Sequence, residues 1–144
     1  MRFAYADFEI DGISRVCSHQ IVRLAHAGLL QRSQRYVKET KVEYIDPPAV
    51  ALLPVDVAYK WALIQDMAEE LYLHLVDTKL MKKEDARYIL PQGCATKLRM
   101  CLNFQAWQDF LNNRCHPAAQ WEVRTVAMEI RNQLTQLAPE LFGD

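Results

Sequence analysis

The spacing of apolar and polar positions changes period several times along this chain. Phe3, Tyr5 and Phe8 stand among polar residues and predict a strand from Phe3 to Ile10, with Gly12 breaking it. Val16, Ile21, Val22, Leu24, Ala25 and Leu29 then fit a helix over Ser14 to Leu30, which Gly28 weakens or ends. From Tyr36 to Ile45, Val37, Val42 and Tyr44 alternate with lysines and glutamates and read as extended. That stretch stops at Asp46-Pro47-Pro48, where two prolines forbid further pairing.

The clearest helix follows. Val57, Trp61, Ile64, Ala68, Leu71 and Leu75 recur at steps of three and four, while Lys60, Asp66, Glu69 and Glu70 fall elsewhere. Pro54-Val55-Asp56 gives it a start, with Asp56 as the expected N-cap. Lys82 to Leu90 predicts a short helix stopped by Pro91, and Gln92-Gly93 a turn. Thr96 to Leu102 alternates as a half-buried strand. Trp107, Phe110 and Leu111 mark a brief helix after Asn103. The last helix, Ala118 to Leu137, carries Val123, Val126, Ala127, Ile130, Leu134 and Leu137 on one face. Helices outnumber the scattered strands, so the expected class is α+β, in one domain over residues 1–144. Unpaired strand edges and apolar surface point to self-association.

Composition narrows the function classes. A net charge of −1 implies no bulk attraction to nucleic acid or to a membrane. No apolar run approaches the roughly 20 residues that span a bilayer, and the first residues carry no secretion signal, so cytoplasm is the expected location. Cys17, Cys94, Cys101 and Cys115 lie far apart without a zinc spacing and read as reduced, mostly buried thiols. His19, His26, His74 and His116 lack metal-ligand spacing, so no metal is expected. Phosphate-binding glycine loops and the nucleophile elbow are absent. Cys94 has no flanking signal for a lowered pKa.

What remains is a set of arginines in apolar or small surroundings: Arg23, Arg35, Arg87 and Arg114. One reading pairs them internally with Glu84, Asp85 or Glu122. The other, favoured by the company of Gln20, Gln31 and Ser33, is an anion site, with guanidinium forks for phosphate and amide or hydroxyl groups for a base edge.

Gln20-Ile21-Val22-Arg23 and Ser33-Gln34-Arg35-Tyr36 resemble the signature region of flavin-dependent thymidylate synthases. Glu84-Asp85-Ala86-Arg87-Tyr88-Ile89-Leu90-Pro91 resembles that family's E-x-A-R-x-x-L-P element, and Thr96 through Asn103 its threonine-to-asparagine strand. Phe110-Leu111-Asn112-Asn113-Arg114, followed by Ala119-Gln120-Trp121-Glu122-Val123-Arg124, is similar to its F-L-x-x-R…A-Q-W-E-I segment. The likeness runs in family order from about Phe8 to Leu134.

The resemblance implies an α+β fold with helices on a small, mostly antiparallel sheet, assembled as a homotetramer with shared active sites. It implies reductive methylation of dUMP to dTMP, with methylenetetrahydrofolate as carbon donor and NADPH as reductant through FAD. Gln20, Arg23, Gln31, Ser33, Arg35, Arg87 and Arg114 are the implied nucleotide contacts. Arg114 is the implied catalytic group, placed to help ionise the pyrimidine N3. Arg23, Gln31 and Asn103 are the implied flavin contacts.

The departures lie on the flavin side. The family's R-H-R reads Arg23-Leu24-Ala25, and Gly28, Leu30, Gln105, Asp109 and Ala118 stand where polar or basic groups are expected. The family's usual N-terminal portion has no counterpart in the likeness. Losing such donors weakens a site for the FAD pyrophosphate. The alternative expectation is therefore a dUMP- or dCMP-binding relative with a weakened or lost FAD site. It would act as a one-carbon (hydroxymethyl) transferase or as a non-catalytic partner of a complete synthase subunit.

Overall fold

The computed structural model describes residues 1–24, 27–35 and 41–143. The predicted helical residue Ala25 and the predicted extended positions 36–40 lie outside the described residues. The chain groups into two compact units. Met1–Ile13, Cys17–Gln31 and Lys97–Asp144 form the first, and Ser14–Val16 with Arg32–Thr96 form the second.

The first unit is built on a three-stranded sheet. β1 (Tyr5–Ser14) and β2 (Gly28–Gln31) flank the central β3 (Ala95–Asn103). β2 runs antiparallel to β3, with Gly28 opposite Cys101 and Gln31 opposite Leu98. Lys97 Nζ lies 2.6 Å from Glu9 Oε1 and the Arg99 guanidinium pairs with Asp7, so rising numbers on β3 meet falling numbers on β1. That pair is therefore antiparallel as well. Arg99 holds the Asp7 carboxyl below its ordinary range by hydrogen bonding, although these exposed pairs add little stability.

Strand alternation sorts β3: Leu98, Met100 and Leu102 are buried, whereas Arg99 is exposed. On the apolar face pack α4 (Phe104–Arg114) and α5 (Trp121–Leu137), through Trp107, Phe110, Val123, Ala127, Ile130 and Leu134. Trp107 meets Phe8 edge-on at 5.1 Å and donates its indole N–H to the Ala6 carbonyl at 3.1 Å. Burying the ring therefore leaves no unpaired donor. Asn103 Oδ1 accepts the Ala106 N–H at 2.8 Å and caps α4, and Gln120 Oε1 caps α5 through Glu122 and Val123. A short α6 (Pro139–Phe142) closes the unit, with Phe142 against Phe104 at 5.3 Å. The α+β class expected from the sequence is what forms.

Two boundaries in this unit differ most from the sequence expectation. Gly12 does not break β1: it takes φ +68°, its N–H donates to Asp11 Oδ1 at 2.8 Å, and the strand continues to Ser14. The predicted helix over Ser14 to Leu30 ends early, as α1 (Arg15–Ile21), and Gly28–Gln31 becomes β2 instead. Four residues are too few to show a period, and the open edge of β3 supplies the backbone partners that a helix end would lack.

In the second unit, Tyr44 bridges Cys94 antiparallel and Ala95 N–H donates to the Glu43 carbonyl at 2.7 Å. α2 (Val55–Asp77) starts behind Pro54, so Asp56 is a first-turn residue facing the positive helix end rather than the N-cap. Asp46 accepts from both Trp61 Nε1 and Gln65 Nε2 at 2.8 Å, and Glu69 accepts the Val42 N–H at 3.1 Å, tying the preceding loop to α2. Ala68 and Tyr72 are buried in α2, but Val57, Trp61, Ile64, Met67 and Leu71 of its apolar surface are exposed, Ile64 by 63%. α3 (Lys83–Ala86) and a 3-10 turn at Arg87–Ile89 complete the unit.

Past the end of α2, Lys79 adopts φ +58°, a left-handed conformation that suits glycine and strains a side chain bearing a Cβ. Lys79→Gly is expected to stabilise the protein by about 0.5–1 kcal/mol, the relief of a left-handed residue less the added freedom of the unfolded chain. Thermal unfolding followed by circular dichroism tests this, and an unchanged or lower midpoint would contradict it.

Candidate functional site

Arg114 is the last residue of α4, so its guanidinium sits where the helix dipole favours a cation. Its Nη2 donates to the Gln20 carbonyl at 3.2 Å. Gln20 lies in the last turn of α1, whose carbonyls have run out of helical N–H partners. Arg114 thus satisfies one such group, using one of the five N–H donors a guanidinium carries. Cys17, fully buried on α1, feels both the Glu122 carboxylate and Arg114. Burial first, and then Glu122, push its thiol up to about 12 against the opposing pull of Arg114. It stays protonated at neutral pH and is no nucleophile. Gln31, at the end of β2, donates Nε2–H to the buried Ser18 hydroxyl at 2.8 Å, which fixes the orientation of its amide. Arg23 is exposed in the turn after α1.

The second unit gathers Ser33, Arg35 and Arg87 around Glu84. Arg35 donates to Glu84 Oε2 from Nη2 at 3.1 Å and from Nε at 3.3 Å, and Arg87 Nε donates to the Glu84 backbone carbonyl at 3.0 Å. The internal-pairing reading therefore holds for Arg35, while Arg87 is held by a neutral carbonyl. Ser33 Oγ accepts the Arg35 N–H at 3.3 Å, a local turn contact that fixes the hydroxyl beside the guanidinium. Gln34, between them, is only 4% exposed, and its Nε2 is buried without a hydrogen-bond partner among the described residues. An amide N–H₂ left unpaired in the interior costs about 1–3 kcal/mol, so the site favours a ligand acceptor there.

The sequence-predicted residues thus fall into two sets. Gln20 and Arg114 meet in the first unit, which also contains Gln31, Arg23 and Asn103; Ser33, Arg35 and Arg87 gather in the second. Asn103 has its Oδ1 engaged in the α4 cap. Reasoning from sequence missed Ser18 and Gln34. Gln34 could have been found from its place between Ser33 and Arg35, but its burial could not. Of the flavin-side departures, Leu30 is 72% exposed, and Gln105, Asp109 and Ala118 are also exposed. Cys94, considered as a nucleophile and set aside, is buried beside Tyr44, whose hydroxyl is pushed upward in pKa mainly by burial.

Comparison with known proteins places these residues in a family. The family described as "Thymidylate synthase complementing protein" matches residues 1–140. A flavin-dependent thymidylate synthase of Nitratidesulfovibrio vulgaris is 36% identical over 146 aligned residues, covering 94% of this chain and 58% of the relative. One from Clostridium tetani is 32% identical, covering 94% and 60%. The chain thus spans less than two thirds of the length of these curated relatives. The crystal structure of flavin-dependent thymidylate synthase ThyX from Helicobacter pylori, complexed with FAD and dUMP, superposes with a TM-score of 0.76 at 26% identity, over 97% of this chain and 72% of that one. On the sequence match and the fold together, this chain belongs to the flavin-dependent thymidylate synthase family.

Proposed function

We propose that this protein binds dUMP and takes part in its reductive methylation to dTMP, with methylenetetrahydrofolate and NADPH as co-substrates. The observation that carries the reading is the buried Gln34 Nε2, without a hydrogen-bond partner among the described residues and set between Ser33 and Arg35 in the chain. A buried donor with no acceptor suits a polar ligand, and the adjacent guanidinium and hydroxyl suit a phosphate. The exposed Arg35–Glu84 pair is worth about 0–1 kcal/mol, so exchanging the carboxylate for a substrate oxygen is cheap. Arg87, in the same unit, supplies a further nucleotide contact, while Gln20, Arg23 and Gln31 of the first unit are contacts by family resemblance. In this reading Arg114, which carries N–H groups besides the one on the Gln20 carbonyl, favours ionisation at the pyrimidine N3. No thiol takes part, in keeping with the raised Cys17.

FAD, when bound, supplies the hydride in this chemistry. Within this chain the fit to it is thin. Arg23, Gln31 and Asn103 remain as donors, while Leu30 presents an apolar surface and Asp109 a negative charge where the family resemblance implies polar groups on the flavin side. These exposed departures also favour a second reading, a dUMP- or dCMP-binding relative without tight FAD, acting in hydroxymethyl transfer or beside a complete synthase subunit. The exposed apolar surface of α2 supports assembly of several copies, up to a homotetramer, with sites completed by more than one chain.

Three outcomes follow. Arg114→Ala weakens dUMP binding by about 2–4 kcal/mol, roughly 30- to 1000-fold by calorimetry, with the fold retained. A fall in melting temperature with dUMP binding untouched would reduce Arg114 to a tether for the Gln20 carbonyl. FAD binds at least about tenfold more weakly than to a full-length family member, since two or three charge-assisted donors are missing. An absorption spectrum of the purified protein reads this directly, and stoichiometric yellow flavin surviving purification would refute it. The third concerns assembly: sedimentation shows an oligomer at micromolar concentration, and Ile64→Glu with Met67→Glu shifts it toward the 16.7 kDa chain. A wild-type protein sedimenting only as the monomer would rule out a shared site.

A further inference from the structure

Glu122 is a buried acid that the dUMP chemistry has not used. It lies in the first turn of α5, which packs against α4, and is only 6% exposed. Its backbone N–H is held by Gln120 Oε1 at 3.0 Å, and the positive end of the α5 dipole favours a carboxylate at that place. Arg114 closes α4 and donates to the Gln20 carbonyl in the last turn of α1. Cys17, fully buried on that same α1, senses both charges: after burial, Glu122 is the larger influence raising its thiol, and Arg114 opposes it. A carboxylate from the start of one helix and a guanidinium from the end of another therefore act on one buried point of a third. Arg124 and Arg131, also on α5, act on Cys115, whose thiol burial raises against their pull. The nearby histidines, His19 on α1 and His116 after α4, are exposed.

We propose that Glu122 is a positioning residue that acts through Arg114, its buried carboxylate moderating the positive field at the pyrimidine and so setting how readily N3 ionises. The proposal rests on the reading that Arg114 serves bound dUMP. A fixed guanidinium stabilises the N3 anion and gives up no proton of its own, so the N3 proton goes to water. The base regains that proton in dTMP, and a field softened by one negative charge permits the return as well as the departure. The carboxylate exerts this effect whatever hydrogen bonds it also makes, because a contact does not remove its charge from the surroundings. Its burial limits screening by salt.

Fluorine NMR of the full chain with bound 5-fluoro-dUMP, followed against pH, reads the ionisation directly. Fluorine at C5 draws electrons from the ring and brings the N3 midpoint into a mild range. Glu122→Gln removes the negative charge, so the anion gains over the neutral base and the midpoint falls by about half a pH unit or more. Glu122→Met, which fills the space without an amide to satisfy, moves the midpoint the same way, and Glu122→Asp keeps the charge and stays near the wild-type value. Cys17, His19 and His116 are common to every variant, so their own titration cancels in the comparison. A midpoint that is unmoved or raised in the neutral variants overturns the proposal, and if melting temperature alone falls, Glu122 serves only the fold. Wild-type protein that binds no 5-fluoro-dUMP sinks the dUMP reading and this inference with it, whereas binding with an unmoved midpoint sinks the inference alone.

Discussion

The register of β3 is the constraint on which the first unit depends. Leu98, Met100 and Leu102 enter the core because Lys97 and Arg99 point the other way, and both flanking strands pair to this one. A slip of one residue would drive two cations into the space filled by Trp107, Phe110 and Val123, so the alternation admits one register. The same strand sets the position of Arg114. β3 ends at Asn103, whose side chain caps α4, and α4 delivers Arg114 in its last turn beside the Gln20 carbonyl. Strand, cap and helix form one covalent line from the core to the candidate catalytic arginine.

The second unit positions its charges differently. Glu84 presents its carboxylate to Arg35 and its backbone carbonyl to Arg87, so a single residue orients two guanidinium groups. Neither contact is deeply buried. The groups are therefore aligned at small desolvation cost and can change acceptors readily. Gln34 is the opposite case, a buried amide whose partner is missing among the described residues. An exposed, exchangeable ion pair in the same unit as a buried donor without a partner among the described residues is the combination on which the proposed site rests.

Much of this was legible in the sequence where period and cap agreed. β3, α4 and α5 carry clean alternation or three-and-four spacing, with Asn103 and Gln120 in front of the two helices. β2 was not legible, because Gly28–Gln31 is too short for a period and exists only through pairing with β3. Gly12 misled because glycine both ends strands and bends them, and its own N–H contact with Asp11 decides for bending. The apolar spacing of α2 correctly gave a helix but said nothing of what covers it. On the site, the arginines stood out as cations in apolar or small surroundings. Gln34 and Ser18 did not, since burial is a property of the fold and a polar residue in a motif looks the same whether solvated or sealed.

Arg114 also has to be weighed against Glu122, which is only 6% exposed on α5. Both act on Cys17 with opposite sign, so they belong to one electrostatic neighbourhood. The buried carboxylate offsets part of the positive charge in that neighbourhood. A thiolate at Cys17 would double that negative charge, and burial prevents it. The guanidinium therefore shares its electrostatic neighbourhood with one carboxylate and one neutral thiol. Such a balance leaves the guanidinium charged, and a fixed positive charge stabilises a nearby anion without itself taking up a proton.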